Sequence, residues 1–215
     1  MKLEDLLRNY GVLYSRELGI DVKKHPFRWL LASMLFGGRI STTVAKNTYK
    51  EYEKTGLITP QSIAEASRDQ LIRIHGRGGY VRYDGITADY VQGAAKTLIN
   101  KYRGNVTQLD KVSESAEDLE NRLEEFRGVG PVTARIFLRE LRGIWRNADP
   151  EPTRVEILAA KRLGILRSEK NALKKLKSFW ERNALAGYDF RDFEAALVRL
   201  GLQIRRSKSI DSDIS

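Results

Sequence analysis

No cysteine occurs among the 215 residues. That absence excludes a disulfide framework, a thiolate zinc site and a cysteine-held iron–sulfur cluster. Histidine is nearly absent too, with only His25 and His75, so no imidazole-rich metal centre is expected. No apolar run approaches the ~20 residues needed to span a bilayer. The N-terminal MKLEDLLRNY lacks the apolar core of a signal peptide. A soluble, intracellular and cytoplasmic protein is expected, with no membrane partner. Nowhere do six residues alternate cleanly between apolar and polar, so no sheet is predicted.

What is present is positive charge. Lys and Arg number 38 against 28 Asp and Glu, a formal net charge of +10. Such an excess fits a partner for polyanions, usually nucleic acid, although basic surfaces also serve solubility alone. Charged residues make up 31% of the chain, but aliphatic and aromatic residues recur along nearly its whole length, which argues for a globular protein rather than a disordered one.

The dominant period is helical. Leu3, Leu6 and Leu7 mark a first amphipathic piece. Trp29 to Phe36 follow as a more buried helix, opened by Pro26 at a first-turn position. Further apolar stripes run through Val44–Tyr52, Ile63–Ile74 and Val91–Leu98. Leu119, Leu123 and Phe126 line a helix with Ser115 as its expected N-cap. Ala134, Phe137, Leu138 and Leu141 line the next helix, and three more stripes run to Leu200. An all-α protein of about ten helices is predicted. The glycine-rich HGRGGYVRYDG, residues 75–85, reads as its one long irregular loop. The tail 207–215 reads as polar and frayed.

Between the helices ending at Phe126 and starting at Pro131 lies FRGVGPVTA, residues 126–134. Gly128 and Gly130 allow a tight turn and leave the backbone bare, and Pro131 fits a first helical turn where its missing N–H is not needed. The free amides of that turn, at the positive end of the helix dipole, suit a phosphate. A glycine C-cap followed by a proline-started helix, with no ligand, would look the same over so short a stretch.

The longer LEEFRGVGPVTARIFL resembles the helix-hairpin-helix of the endonuclease III-type DNA glycosylases, whose core reads L-P-G-V-G-x-x-T-A. Phe126, Gly128, Val129, Gly130, Thr133 and Ala134 fall on it in register. The family's V-D-T-H-x-x-R-V segment, about eighteen residues further on, is matched by ADPEPTRVEI. There Asp149 lies seventeen residues after Val132 and is followed by Arg154-Val155. Upstream, HPFRWLLASMLFGGRISTTVAKN is similar to the family's P-F-x-x-L-I-A-x-x-L-S-x-Q-T helix and turn. The resemblance runs from about Pro26 to Leu163 and fades after residue 165. Val132 stands where lyase-competent members carry lysine, the four C-terminal cysteines of many members are missing, and the wedge glutamine is replaced within FGGR, by Gly38 in a gapless alignment with Arg39 next.

The resemblance implies two α-helical lobes with the hairpin at the cleft between them: a contiguous lobe at 23–133, and a second built from 1–22 and 134–206. It implies a DNA glycosylase of base excision repair that flips out a damaged or mispaired base and hydrolyses its N-glycosidic bond. The partner would be double-stranded DNA carrying such a base, bound by a monomer associated with the nucleoid. No cofactor and no metal centre is implied, although family hairpins can hold a monovalent cation through their carbonyls. Without the motif lysine a monofunctional enzyme is expected. A glycosylase/AP lyase using a lysine outside the motif, or a non-catalytic DNA-binding module, are the alternatives, and the lesion stays open.

Base removal passes through an oxocarbenium-like state that a nearby carboxylate stabilises. Asp149 is the candidate, with N-capping of the following helix as its other reading. Gly128, Val129, Gly130, Thr133, Arg39 and Arg135 are the expected DNA contacts, and Tyr80, Tyr83, Trp29 and Val132 the expected base pocket. Trp29 also fits a core position, Tyr80 and Tyr83 could fill a core gap, and Arg39 could be an ordinary surface arginine or a wedge into the duplex. Arg135, Arg139, Arg142 and Arg146 would form one helical stripe, facing either phosphates or solvent.

Overall fold

The computed structural model describes the backbone of residues 1–213 and side chains through Ser207. Thirteen helices account for nearly all regular structure among the described residues. Among the described residues there is no strand, only an isolated bridge between Arg142 and Trp145. No helix among the described residues is long and apolar enough to cross a membrane.

Contacts divide the chain into two units. One is contiguous, Leu18–Pro150, and the other joins Met1–Glu17 to Glu151–Ser215. The sequence-based division placed residues 134–150 with the terminal segments. Helix α10 (Pro131–Leu141) instead packs against α3 (Pro26–Phe36) and α9 (Ala116–Glu124). Its buried Phe137, Leu138 and Leu141 belong to that core, so the loop it leads into stays with the contiguous unit.

Within this unit α7 (Asp84–Tyr102) packs against α5 (Pro60–Glu65) and α6 (Arg68–Arg77). It buries Ala88, Val91, Ala94, Ala95 and Leu98, one face at helical spacing. Four starts are capped as their sequences dictate. Ser41 accepts from Val44 N on α4 (Thr42–Lys54), Thr59 and Ser62 exchange bonds, Ser67 and Gln70 do the same, and Ser115 accepts from Asp118 N.

The terminal unit gathers α1 (Leu3–Tyr10), α2 (Tyr14–Glu17), α11 (Arg154–Arg162), α12 (Ala172–Asn183) and α13 (Phe190–Asp213). It has no cysteine with which to cross-link, and it closes on aromatic packing. Phe193, fully buried, lies parallel to Phe179 at 5.7 Å and Trp180 at 5.6 Å. Leu6, Leu7, Leu176 and Leu197 complete that core. The tail expected at 207–215 enters α13 as far as Asp213; its side chains after Ser207 lie outside the described residues.

The glycine-rich segment is shorter than its composition predicts. Helix α6 continues through His75, Gly76 and Arg77, leaving only residues 78–83 irregular. The reason is His75, which is fully buried. Its Nδ1 lies 2.9 Å from Asp84 O and its Nε2 2.8 Å from the Tyr52 hydroxyl. The carbonyl requires a proton on Nδ1, so the neutral ring donates there and accepts the Tyr52 hydroxyl at Nε2. One imidazole thus ties α4, α6 and the start of α7 together.

Candidate functional site

The hairpin forms as its glycines suggest, but the two glycines do different work. Gly128 sits at φ +88° and a Cβ there would come within 2.6 Å of the Tyr90 ring. It is glycine because the left-handed backbone and the packed tyrosine both demand it. Gly130 precedes Pro131 in extended backbone, and a Cβ there would meet nothing within 4 Å. No side chain caps α10, so its first-turn amides keep the positive end of the helix open to an anion. Val129 is buried and Val132 is 57% exposed on the first turn.

Thr133 is buried, and its hydroxyl occupies the space where a Cβ on Gly37 would fall, 2.0 Å away. A glycine at 37 therefore lets the FGGR turn lie directly against the hairpin. Beside this contact is a pocket of about 350 Å³ lined by Gly38, Arg39, Tyr80, Tyr83, Tyr90 and Gly128, among others. The structure thus brings together the turn, the glycine loop and the hairpin, three segments far apart in sequence.

The individual side chains differ in freedom. Tyr80 is buried; its ring lies 5.3 Å from His75 and its hydroxyl accepts from Thr87. It forms a fixed wall. Tyr83 is half exposed in a left-handed conformation (φ 67°), with the Arg82 guanidinium 5.0 Å over its ring. Arg39 is exposed, and among the described residues it has no ion-pair partner. Tyr90, which lines the pocket and packs on Gly128, carries no signal in the sequence, since nothing in its spacing separates it from core residues.

Trp29 is no pocket residue. It is fully buried and its indole N–H donates to Phe137 O at 3.0 Å, so it joins α3 to α10 as core. The arginine stripe is also rearranged. Arg135 bonds Glu120 across the hairpin at 2.9 Å, and Arg139 is buried. Helix α10 ends at Leu141, so Arg142 and Arg146 leave the stripe altogether. Neither a phosphate-facing row nor a solvated one results.

After α10 the chain turns back, with Trp145 edge-on to Phe137 at 5.4 Å. Asp110, on α8 (Thr107–Val112), fastens this return loop by accepting from the amides of Arg146 (3.0 Å) and Asn147 (2.8 Å). The Arg146 guanidinium and the Asn147 side-chain Nδ2 both donate to Ser113 O. At its end the buried Arg142 guanidinium forms an ion pair with Asp149 and donates to Pro150 O at 2.7 Å. The Asp149 side chain remains 42% exposed, against 8% for Arg142. Capping does not explain Asp149. Helix α11 starts at Arg154, and Glu156 accepts the Thr153 amide (2.6 Å) to close a capping box without it. Asp149 is not among the residues lining the pocket. Among the described residues no group of acidic and histidine side chains could hold a metal ion.

No protein-family model and no curated protein matches the chain. Solved structures do. The chain is similar to the 3-methyladenine DNA glycosylase (MagIII) of H. pylori bound to 1,N6-ethenoadenine, with a TM-score of 0.58 at 14% identity, covering 95% of this chain and 97% of that one. The likeness spans nearly the whole of both chains and shows a shared all-α fold. It is also similar to endonuclease III in a trapped covalent intermediate with DNA, with a TM-score of 0.52 at 20% identity, covering 92% of this chain and 85% of that one.

Proposed function

We propose that the chain is a DNA glycosylase that extrudes a damaged or mispaired base from duplex DNA and hydrolyses its N-glycosidic bond, leaving an intact abasic strand. The observation that carries this reading is the disposition of Asp149: a half-exposed carboxylate, oriented by a buried guanidinium and not spent on capping a helix. A carboxylate so held can stabilise the oxocarbenium-like charge on the sugar and orient the attacking water. The uncapped amides at the start of α10 support a sequence-independent grip on a phosphate, and the +10 charge supports affinity that falls steeply with salt. A monovalent cation at the hairpin carbonyls would assist that grip. Of the similar structures named above, one is a 3-methyladenine DNA glycosylase holding a modified purine and another is an endonuclease III trapped covalently on DNA, which supports this reading.

Arg39 and Tyr83, both exposed at the pocket, are assigned to the duplex distortion that extrusion requires. Val132 cannot form an imine with the sugar, which favours hydrolysis over lyase chemistry. The test is a panel of duplexes, each with a single lesion, incubated with the protein and then split in two. Strand cleavage only after hot alkali is expected, with no covalent product on borohydride treatment. Cleavage without alkali, together with borohydride trapping at a mapped lysine, would replace this reading with a glycosylase/lyase. No base release from any lesion would leave a DNA-binding protein.

A further inference from the structure

A concentration of charge lies far from the hairpin in sequence. Residues 161–182 contain eight Lys and Arg against two Glu, a net +6 of the chain's +10. More than half of the excess is thus carried by about a tenth of the length. Only part of it is neutralised: Lys161 pairs with Glu169 at 2.7 Å, while Lys174 and Arg182 meet no carboxylate among the described residues.

These charges are ordered by α12. Its buried side is set by Ala172, Leu173, Leu176 and Trp180. On the other side Asn171, Lys174, Lys175, Ser178, Phe179 and Arg182 line a shallow groove of about 370 Å³ within the terminal unit. They recur every three or four positions, so the cations form a row along one helix face. Lys175 Nζ donates to Ser168 Oγ at 3.2 Å, which draws the preceding loop to the groove. No side chain caps the N-terminus of α12 and no acidic residue lies in its first turn, so the helix dipole adds to the positive field.

We infer that this face of α12 is a second nucleic-acid contact, taking the phosphate backbone of duplex DNA independently of the hairpin. Row-like cations, a hydroxyl and an amide suit phosphate oxygens, which carry no sequence information. The groove is shallow and unenclosed by carboxylates, which suits an extended polyanion better than a small ligand. The inference rests on the DNA-binding reading above and assigns it a surface outside the resemblance to the glycosylase family.

The experiment uses the full chain with K174Q, K175Q and R182Q combined, and measures binding to an undamaged duplex over a salt series. Each phosphate contact contributes about −0.9 to the slope of log K against log salt, so a slope shallower by about 2 to 3 is expected, with an unchanged circular dichroism spectrum. A control removing equal charge elsewhere (K2Q, K23Q and K50Q) should leave the slope nearly as in wild type. Equal change in both variants would mean net charge alone acts, and would overturn the inference. An unchanged slope accompanied by lost binding to phosphatidylserine vesicles would assign the face to a membrane surface instead. Normal lesion excision with an unchanged slope would overturn this inference alone, whereas failure of wild type to bind any duplex would overturn the proposed function with it.

Discussion

Arg142 holds Asp149 through an ion pair in which the guanidinium is buried and the carboxylate is half exposed. The arginine is committed to the protein, since it also donates to Pro150 O, while the aspartate keeps a face towards solvent. This asymmetry distinguishes a presented carboxylate from a merely structural pair. Asp149→Asn keeps the shape but leaves the guanidinium without its counter-charge. A stability loss of about 1 to 3 kcal/mol is expected. Single-turnover excision should fall about a hundredfold or more, with binding to damaged duplex retained. Near wild-type excision by the folded variant would remove Asp149 from the chemistry.

The two hairpin glycines should separate in mutagenesis. Gly128→Ala forces a Cβ into the Tyr90 ring at a left-handed position, and should cost about 2 kcal/mol or more in a denaturant melt. Gly130→Leu meets no neighbour and should leave the melt nearly unchanged. Its side chain would still crowd the first-turn amides of α10, and should weaken binding to damaged and undamaged duplex alike. Wild-type DNA affinity in Gly130→Leu would show that no phosphate approaches there.

Arg39 stands exposed at the pocket rim beside Gly38, whose added Cβ would lie 2.8 Å from the Tyr80 hydroxyl. Gly38 is thereby confined, and under the proposed reading it is Arg39 that would enter the vacated stack. Unstacking a well-paired base costs a few kcal/mol, and less for a mispaired one. Arg39→Ala should therefore slow excision of paired lesions more than of mispaired ones. Equal rates relative to wild type on both substrates would exclude Arg39 from extrusion.

His75 predicts a pH dependence of stability. Burial pushes its pKa below the ordinary imidazole value, and the bond to Asp84 O opposes this only in part. The folded state therefore binds a proton less readily than the unfolded chain. The contribution is complete above the unfolded pKa of about 6.5 and is lost as pH falls below it towards the folded value. Melting temperature should drop between neutral and mildly acidic pH, and the glycine loop should open first because His75 anchors Asp84. His75→Gln should flatten that part of the profile. An unaltered profile in the variant would assign the dependence to other groups.

The helical class, the hairpin and its flanking helices were legible in the sequence because they depend on local rules. Apolar residues recur at helical spacing, Ser115 caps α9, Pro131 opens α10, and glycine stands at 128, where the backbone is left-handed. The absence of cysteine likewise fixed in advance that no thiolate could hold the terminal unit; the sequence did not say that Phe193, Phe179 and Trp180 would close it. Partner choice was the part only tertiary structure decided. The spacing of Arg135, Arg139, Arg142 and Arg146 leaves open whether one helix face meets phosphate or solvent. It was settled by Glu120, by the end of α10 at Leu141 and by a return loop fastened to Asp110 and Ser113. The cap reading of Asp149 likewise failed because Thr153 and Glu156 had taken that role four residues later. Helix and turn signals are carried by residues a few positions apart, whereas ion pairs, buried histidine bonds and pocket walls join residues distant along the chain, and their partners become defined only when the backbone has brought them into contact.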